Sequence, residues 1–525
     1  MTVRTRFAPS PTGYMHIGGM RTALFAWLWA RHNNGVFILR IDDTDEQRNI
    51  GEALGPIFNA FRWLGLDWDE GPEVGGAYGP YFQSQRRAFY DEALAKLLSS
   101  GKAYRDFESP EDTQAQREAA EKEKRIYVSS RVSLGFSASE SEQMAASGKP
   151  FVVRLQIPRS DKVVINDHIR GRVEFDCGLM PDPVIARNDG SPLYNFATVV
   201  DDAALEITHV IRAEEHLSNT PIQVLLHRAL GNKTPEWAHI PYVASPGSKE
   251  KMSKRKIDKY RTSPQFQKLF ELGDQVLSRI GIDANSNELS PVMVAYYREV
   301  GFLPAGVLNA LVRLGWSLDD QTEILSLADM KRTFTLDRVI RSPAGLDPDK
   351  MLSFQSHWMH ELSPREKLDG CLPFLKKARL IDDENDPATQ AKVTRIIELA
   401  ADRLRVFGDI FQLDEFFVAD DQLKMDDKNF QKRIVKPELA IGLLTELRGR
   451  LADVFNFAAE PLHDLLQSFT TEKKIKAGDI FPALRLCVSG KVQGPDLFRS
   501  LELLGKDCVL RRLDRAIGLA ESMRG

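Results

Sequence analysis

The sequence predicts an α/β chain in which a parallel sheet, split by a small α+β insertion, gives way to an all-helical C-terminal region. Three observations carry this: strand, turn, helix and strand follow one another within the first forty-odd residues; the same patterning returns near residue 190; and helical periodicity without strand alternation fills the last third. The 525 residues suit three or four domains at ~100–200 residues each. Hydrophobic residues at 43% and charged residues at 27% exclude a disordered or fibrous chain. Lys and Arg number 70 against 74 Asp and Glu, a net charge of −4, so any basic surface that holds nucleic acid must be local.

Val3 to Ala8 alternates, a Pro9-Ser10-Pro11-Thr12-Gly13 turn follows, and Met20 to His32 carries a helical run of apolar residues. Val36 to Ile41 completes a βαβ unit. The acidic run Asp42-Asp43-Thr44-Asp45 emerges where that strand ends, the edge at which open parallel sheets bind ligands. The stretch 108–190 opens with the charged EDTQAQREAAEKEKR and continues with β-like pieces, Phe151 to Ile157 and Val163 to Ile165, as an insertion with its own small fold. Strand patterning returns at Leu193 to Val200 and Ile207 to Arg212, and Ser218-Asn219-Thr220-Pro221 opens a helix that Gly231 closes. His239 to Ala244 is a further strand, feeding a loop with Lys249, Lys251, Lys254, Arg255 and Lys256, the densest basic cluster in the chain. The stretch 283–291 is polar and reads as a loop, and 345–525 as helices, for example Thr394 to Leu404 and Leu497 to Leu519. The divisions expected are 1–107, 108–190, 191–257, 258–344 and 345–525.

Cys177, Cys371, Cys487 and Cys508 lie too far apart for a CxxC pair, which removes the usual zinc spacing and a dense disulfide framework and fits a reducing compartment. Arg4, Arg6, Pro9 and Pro11 interrupt the apolar core a signal peptide needs, and Ala23 to Ala30 is far short of the ~20 residues that span a bilayer. The cytoplasm is the expected location.

Two segments carry chemistry. Gly18 and Gly19 stand at a helix start, where close backbone approach, exposed N–H groups and the helix dipole favour an anion, and His16 is placed to donate to the same phosphate. Equally, the glycines could serve a tight turn and His16 a cap. Lys251-Met252-Ser253-Lys254-Arg255-Lys256 taken alone reads as a solvated charge run. It could instead fold over a triphosphate and neutralise the charge that develops on a leaving pyrophosphate. The two together are far more specific than either.

FAPSPTGYMHIGG followed by KMSKR resembles the two signatures of class I aminoacyl-tRNA synthetases. Fuller runs, FILRIDDTD, LDWDEGPEVGGAYGPYFQSQR, VVDD, VIRAEEHLSNTP and GFLPAGVLNALVRLGWS, are similar to bacterial glutamyl-tRNA synthetases and cover most of residues 3–316. The resemblance implies a Rossmann-like catalytic domain whose insertion grips the acceptor end of tRNA. It further implies a stem-contact region over 258–344, with an extension at 258–292 that carries no recognisable motif, and a helical anticodon-binding region. The implied reaction is a ligation in two steps: glutamate and ATP form glutamyl adenylate, and the terminal adenosine of tRNA(Glu) accepts the glutamyl group. ATP with Mg²⁺, L-glutamate and tRNA(Glu) are the implied partners of a monomer with no membrane association.

By the same resemblance, ATP is held by His16, Gly18, Gly19, Glu215, Lys251, Met252, Ser253, Lys254 and Arg255. His16, Lys251 and Lys254 act as the catalytic donors; no nucleophilic side chain is required. Glutamate carries two carboxylates and an ammonium, so its pocket needs cations and an anion. Arg6 and Arg212 supply the positive charge, beside Ala8 and Ser10 on the first turn and Tyr194 on the returning strand. The plainer alternative for the two arginines is a surface salt bridge. Three departures from the family pattern stand out. Asp42 replaces a Glu as ammonium partner and is one methylene shorter, Thr198 stands where many members carry an amide, and the 258–292 stretch is long. Around 98–130, where some relatives hold zinc, there is no Cys and no His, so no structural zinc is expected. Arg403 and Arg405, on an expected helix, are candidates for anticodon contacts or, more plainly, helix-surface solubility; Trp358 and Phe354 are expected in the core.

Competing readings remain. The turn reads Ala-Pro-Ser-Pro-Thr-Gly rather than the Pro-Pro-Glu-Pro-Asn-Gly of glutaminyl enzymes, which disfavours glutamine as substrate, but glutamate charging of tRNA(Gln) as well is open. A non-catalytic RNA-binding paralogue draws support only from Asp42 and Thr198. A small-molecule nucleotidyltransferase would have no use for the long helical region.

Overall fold

β1 (Arg4–Phe7), α1 (Ile17–His32) and β2 (Val36–Leu39) form the opening βαβ unit, with β1 and β2 parallel from Arg4 against Val36 to Phe7 against Leu39. α1 is apolar nearly all round, and Ile17, Leu24, Phe25, Trp27 and Leu28 are fully buried, as a helix enclosed by its neighbours must be. This computed structural model describes residues 2–11, 13–43, 50–286 and 288–524. Thr12 in the first turn and Thr44 and Asp45 in the acidic run lie outside the described residues. The chain forms two compact units, Met1–Gln267 with Asn287–Tyr296 and Val307–Met351, and Lys268–Ser286 with Tyr297–Gly306 and Leu352–Gly525.

In the first unit α2 (Ile50–Trp63), α3 (Arg87–Ser99) and β3 (Ala103–Asp106) follow, then α4 (Pro110–Lys122), which Ser109 caps, and α5 (Ala138–Ala146), opened by a Ser137–Glu140 capping box. The next strands are β4 (Val152–Leu155), β5 (Lys162–Asp167), β6 (Gly171–Asp176) and β7 (Val184–Arg187). They do not make one sheet. β3, β4 and β7 form a three-stranded antiparallel sheet, whereas the β5–β6 hairpin extends the parallel one.

α6 (Tyr194–Ala204), β8 (His209–Ala213), α7 (Thr220–Leu230), β9 (Glu236–Ile240), β10 (Val243–Ala244), α8 (Ile257–Arg261) and β11 (Ala344–Gly345) follow in the same unit. The main sheet runs β2-β1-β8-β9-β5-β6, parallel except for β6. The strand expected over Leu193 to Val200 is therefore a helix, and Tyr194 begins it instead of lying on a returning strand. The β-branched Thr198-Val199-Val200 run suggested a strand, but Phe196, Val199 and Val200 are buried at the three- and four-residue spacing of a helix face. Gly231 closes α7 in the left-handed region, φ 72°.

The second unit is helical. Helices Ala440–Asp453, Ala459–Lys473, Ala477–Ser489 and Lys506–Arg524 surround a core that includes Leu444, Leu447, Leu466, Phe469, Leu484 and Leu513. The helix expected through Leu497 to Leu519 is broken at Gly505, whose φ is 81°. The uninterpreted 258–292 stretch supplies helix Gln267–Arg279, whose Leu269, Phe270, Leu272, Val276 and Leu277 are buried. Gly408 lies so close to Val276 and to the Val300 carbonyl that an added Cβ would meet them at 2.5 and 2.6 Å. Phe354 is buried as expected, while Trp358 is only half-buried. Among the described residues no helix is long and apolar enough to cross a membrane.

Candidate active site

A cleft of about 860 Å³ opens at the carboxyl edge of the main sheet. Its lining brings together Arg6, Ala8, Ser10, Asp42, Tyr194, Thr198 and Arg212, all seven residues the sequence marks for glutamate. β1 delivers Arg6 and the first turn, β2 leads to Asp42, and β8 delivers Arg212.

The floor is a buried charge network. Arg6 donates from Nε and Nη2 to Asp202, both at 3.1 Å, so its charge is already shared within the protein. Arg40 spans two carboxylates, donating from Nη1 to Asp202 at 2.7 Å and from Nε to Asp42 at 2.8 Å. Burial would raise the Asp202 carboxyl, but Arg6 and Arg40 hold it down at about 2. Burial wins at Asp42, pushing it up to about 6 against the pull of Arg40. Asp201 accepts from Arg86 Nε at 2.6 Å, Gln83 Nε2 at 2.7 Å and Tyr90 Oη at 3.0 Å. Sequence reasoning did not assign Asp201, Asp202, Arg40 or Arg86. Their signal was two adjacent carboxylates on an apolar helix, which can be buried only with cationic partners.

Arg212 is different, because the partners of its guanidinium are neutral. It donates to Gln223 Oε1 and Thr220 Oγ1 at 2.8 Å, to His239 Nε2 at 3.2 Å and to the His216 carbonyl at 3.3 Å, and stacks 4.8 Å over the Trp237 ring. His239 donates from Nδ1 to Asp167 at 2.6 Å, which leaves Nε2 as the acceptor facing Arg212. Burial brings Arg212 down to about 10, so it remains a cation at neutral pH. Tyr194, half exposed, places its phenol 3.2 Å from His216 Nδ1. Thr198 is buried, and its hydroxyl has no hydrogen-bond partner among the described residues.

His16 is the N-cap of α1: its Nδ1 accepts from the Gly18 N–H at 3.0 Å. The proton therefore sits on Nε2, which is buried and has no partner among the described residues. Burial, with Lys254 and Lys251 nearby, lowers His16 to about 4, so it is a neutral N–H donor. Gly18 and Gly19 lie inside the first helical turn; the turn before it belongs to Gly13, φ 92°. Gly19 lines the cleft.

The basic loop is anchored through Met252, buried at 2% exposure, whose N–H bonds the Val243 carbonyl at 2.9 Å. Tyr260 Oη accepts from the Ser253 N–H at 3.1 Å, and Ser253 Oγ in turn accepts from the Arg255 N–H at 3.3 Å. Lys251 pairs with Glu215, so these two residues close the loop together. Lys254 and Arg255 are exposed and form no salt bridge among the described residues.

In the second unit Arg403 and Arg405 share a cleft of about 900 Å³ with Arg279, Asp409, Asp414 and Lys491. Neither arginine is within the expected helix. Helix Pro387–Ala400 stops at Ala401, whose φ is 47°; Arg403 ends a short 3-10 turn, and Arg405 lies beyond it, 3.5 Å from Asp409.

Residues 2–288 match the family described as tRNA synthetases class I (E and Q), catalytic domain, and residues 366–517 match the anticodon binding domain. A glutamate–tRNA ligase of Moorella thermoacetica is 38% identical over 514 residues, covering 98% of each chain. One from Geobacter sulfurreducens is 36% identical over 519 residues, 99% of each. The crystal structure of a glutamate tRNA ligase from Elizabethkingia meningosepticum in complex with its amino acid is similar over 99% of both chains, at 32% identity and a TM-score of 0.83.

Proposed function

Since the chain belongs to the class I tRNA synthetases (E and Q), we propose that it activates glutamate with ATP and transfers it to the 3′ end of tRNA(Glu). The observation that carries this reading is Arg212, a buried cation in a cradle of neutral hydrogen-bond partners, lining the same cleft as the carboxylate of Asp42. An amino acid with a second carboxylate matches that pair: its side chain meets the Arg212 N–H that the protein partners leave over, and its ammonium meets Asp42. Arg6 holds Asp202 through Nε and Nη2, and its Nη1 hydrogens, without a partner among the described residues, are a second cationic donor for a carboxylate. The unpartnered Thr198 hydroxyl and the Tyr194 phenol supply neutral contacts.

In the first step the glutamate α-carboxylate attacks the α-phosphorus of ATP, and pyrophosphate leaves with the bonding electrons. His16 Nε2–H suits a phosphate oxygen, and its neutrality lets it donate without adding to the desolvation cost. Lys254 and Arg255 are available to the leaving pyrophosphate. The exposed Lys251–Glu215 pair is worth about 0–1 kcal/mol, so phosphate can displace Glu215 from it. ATP arrives with its Mg²⁺, which supplies further positive charge on the phosphates. In the second step a ribose hydroxyl of the terminal adenosine attacks the acyl carbon, and AMP leaves. We assign the acceptor end to the inserted 108–190 stretch and the anticodon to the helical unit around Arg403 and Arg405. Monomeric, cytoplasmic action completes the reading.

The test is aminoacylation with radiolabelled glutamate on purified tRNA(Glu) and tRNA(Gln), each with and without Lys254→Ala. Charging of tRNA(Glu) alone, lost in the variant, is expected. Charging of both tRNAs would make the enzyme non-discriminating, and no charging would overturn the reading.

A further inference from the structure

We propose that His168, His209 and Glu236 form a binding site for one borderline divalent transition metal, with Zn²⁺ as the fitting ion. The site stands at the amino ends of β8 and β9, the edge of the main sheet away from the glutamate cleft. Glu236 and His209 are the first residues of their strands and are partners in the parallel register, so their side chains rise from the same face. His168 follows β5 directly, and its N–H bonds the Trp237 carbonyl at 2.9 Å. One ligand atom from each of the three residues lies within 4.8 Å of the others. His168 Nε2 is 2.7 Å, and His209 Nε2 3.6 Å, from the same Glu236 oxygen.

The surroundings accommodate the tautomer a ligand needs. Thr208 Oγ1 donates to the Arg4 carbonyl at 3.2 Å and accepts from the Arg4 N–H at 2.8 Å. Its remaining lone pair lies 2.8 Å from His209 Nδ1, and in the tautomer in which Nδ1 donates to it His209 presents the Nε2 lone pair. That lone pair faces a carboxylate oxygen, an arrangement that a cation between them reconciles. Trp29 holds both rings, with centroids 5.8 Å from His209 and 6.3 Å from His168. Tetrahedral zinc at ~2.0–2.1 Å from each donor sets its ligand atoms ~3.3–3.5 Å apart. Glu236, with 61% of its side chain exposed, can move the short distance this requires. Two imidazoles and one carboxylate favour Zn²⁺, Co²⁺, Ni²⁺ or Cu²⁺ over Mg²⁺ and Ca²⁺, and leave a coordination position for water. This is a different place from residues 98–130, which lack Cys and His.

The full-length protein, stripped with chelator and free of ATP and tRNA, is titrated with Co²⁺ by visible absorption and with Zn²⁺ by calorimetry. One equivalent is expected, with d–d bands of N/O ligation and a rise in Tm at saturating Zn²⁺. His168→Gln and Glu236→Gln replace partly exposed side chains outside the cleft. Each should weaken Zn²⁺ binding by ~10-fold or more and abolish the Tm rise, with the far-ultraviolet spectrum unchanged. Absence of a stoichiometric site, unchanged affinity in both variants, or a thiolate charge-transfer band would each overturn the assignment.

Discussion

With the amine assigned to Asp42 as proposed, glutamate capture should depend on pH in a window where glutamate itself hardly titrates. Burial outweighs the Arg40 contact and raises the Asp42 carboxyl to about 6, so the ionised form that attracts an ammonium predominates above that pH and is lost below it. At pH 7 about 0.9 of the free enzyme carries the charge, and at pH 5 about 0.09, so kcat/KM for glutamate should fall ~10-fold between them. kcat should change less, because bound ammonium favours the carboxylate. The assay is initial-rate aminoacylation against glutamate concentration across pH 5–8, at saturating ATP and tRNA(Glu), beside Asp42→Asn. The variant should be slow at every pH and should lose this component of the profile, while whatever ATP contributes remains in both proteins. An unaltered kcat/KM from pH 7 to 5, or the same fall in Asp42→Asn, would refute the assignment of the amine to Asp42.

Arg212→Lys should lower kcat/KM for glutamate ~10²–10³-fold, because an ammonium cannot reproduce the fork that Gln223, Thr220 and His239 hold in place; unchanged glutamate kinetics would remove it from the pocket. Lys254→Ala should cost ~10²–10³-fold in kcat with Tm nearly unchanged, since the side chain is exposed; rapid-quench measurement of adenylate reads the step. His16→Ala should lose both the phosphate donor and the helix cap, about 1 kcal/mol of stability by denaturant titration, whereas His16→Asn should keep the cap and lose only rate. Asp202→Asn should destabilise by about 3–5 kcal/mol, because Arg6 and Arg40 would be left buried without their shared counter-charge; thermal and denaturant unfolding measure it.

The first βαβ unit was readable because α1 and β2 are compact apolar runs, β1 precedes them with alternating residues, and Gly13 marks the turn. The cleft's own residues were readable from motifs, and the seven marked for glutamate do converge on it. What supports them was not, because a partner such as Asp202 lies 196 residues from Arg6, and no local period reports a contact of that range. α6 was misread because β-branched residues on a buried helix imitate a strand locally. Arg405 was misplaced because the end of helix Pro387–Ala400 turns on a positive φ at Ala401, a residue that carries no stop signal. The β5–β6 hairpin looked self-contained because its alternation is the same whichever sheet it joins.

The buried acids of α6 also explain how one binding pocket survives an interruption in the chain. Arg6, Arg40 and Arg86 come from before the insertion, and Asp201 and Asp202 from after it. The two segments are thus welded by ion pairs that are worth little unless all close together, since a buried arginine without its carboxylate is strongly penalised. Closing a longer connecting loop costs only ~0.6 kcal/mol per doubling of its length, small beside that penalty. The length of the α4–α5 part of the insertion can therefore drift without loosening the pocket, whereas β5 cannot, because its Asp167 orients His239 behind Arg212; a single neutral residue at the weld opens the pocket. The proposed glutamate site is, in mechanical terms, the seam itself.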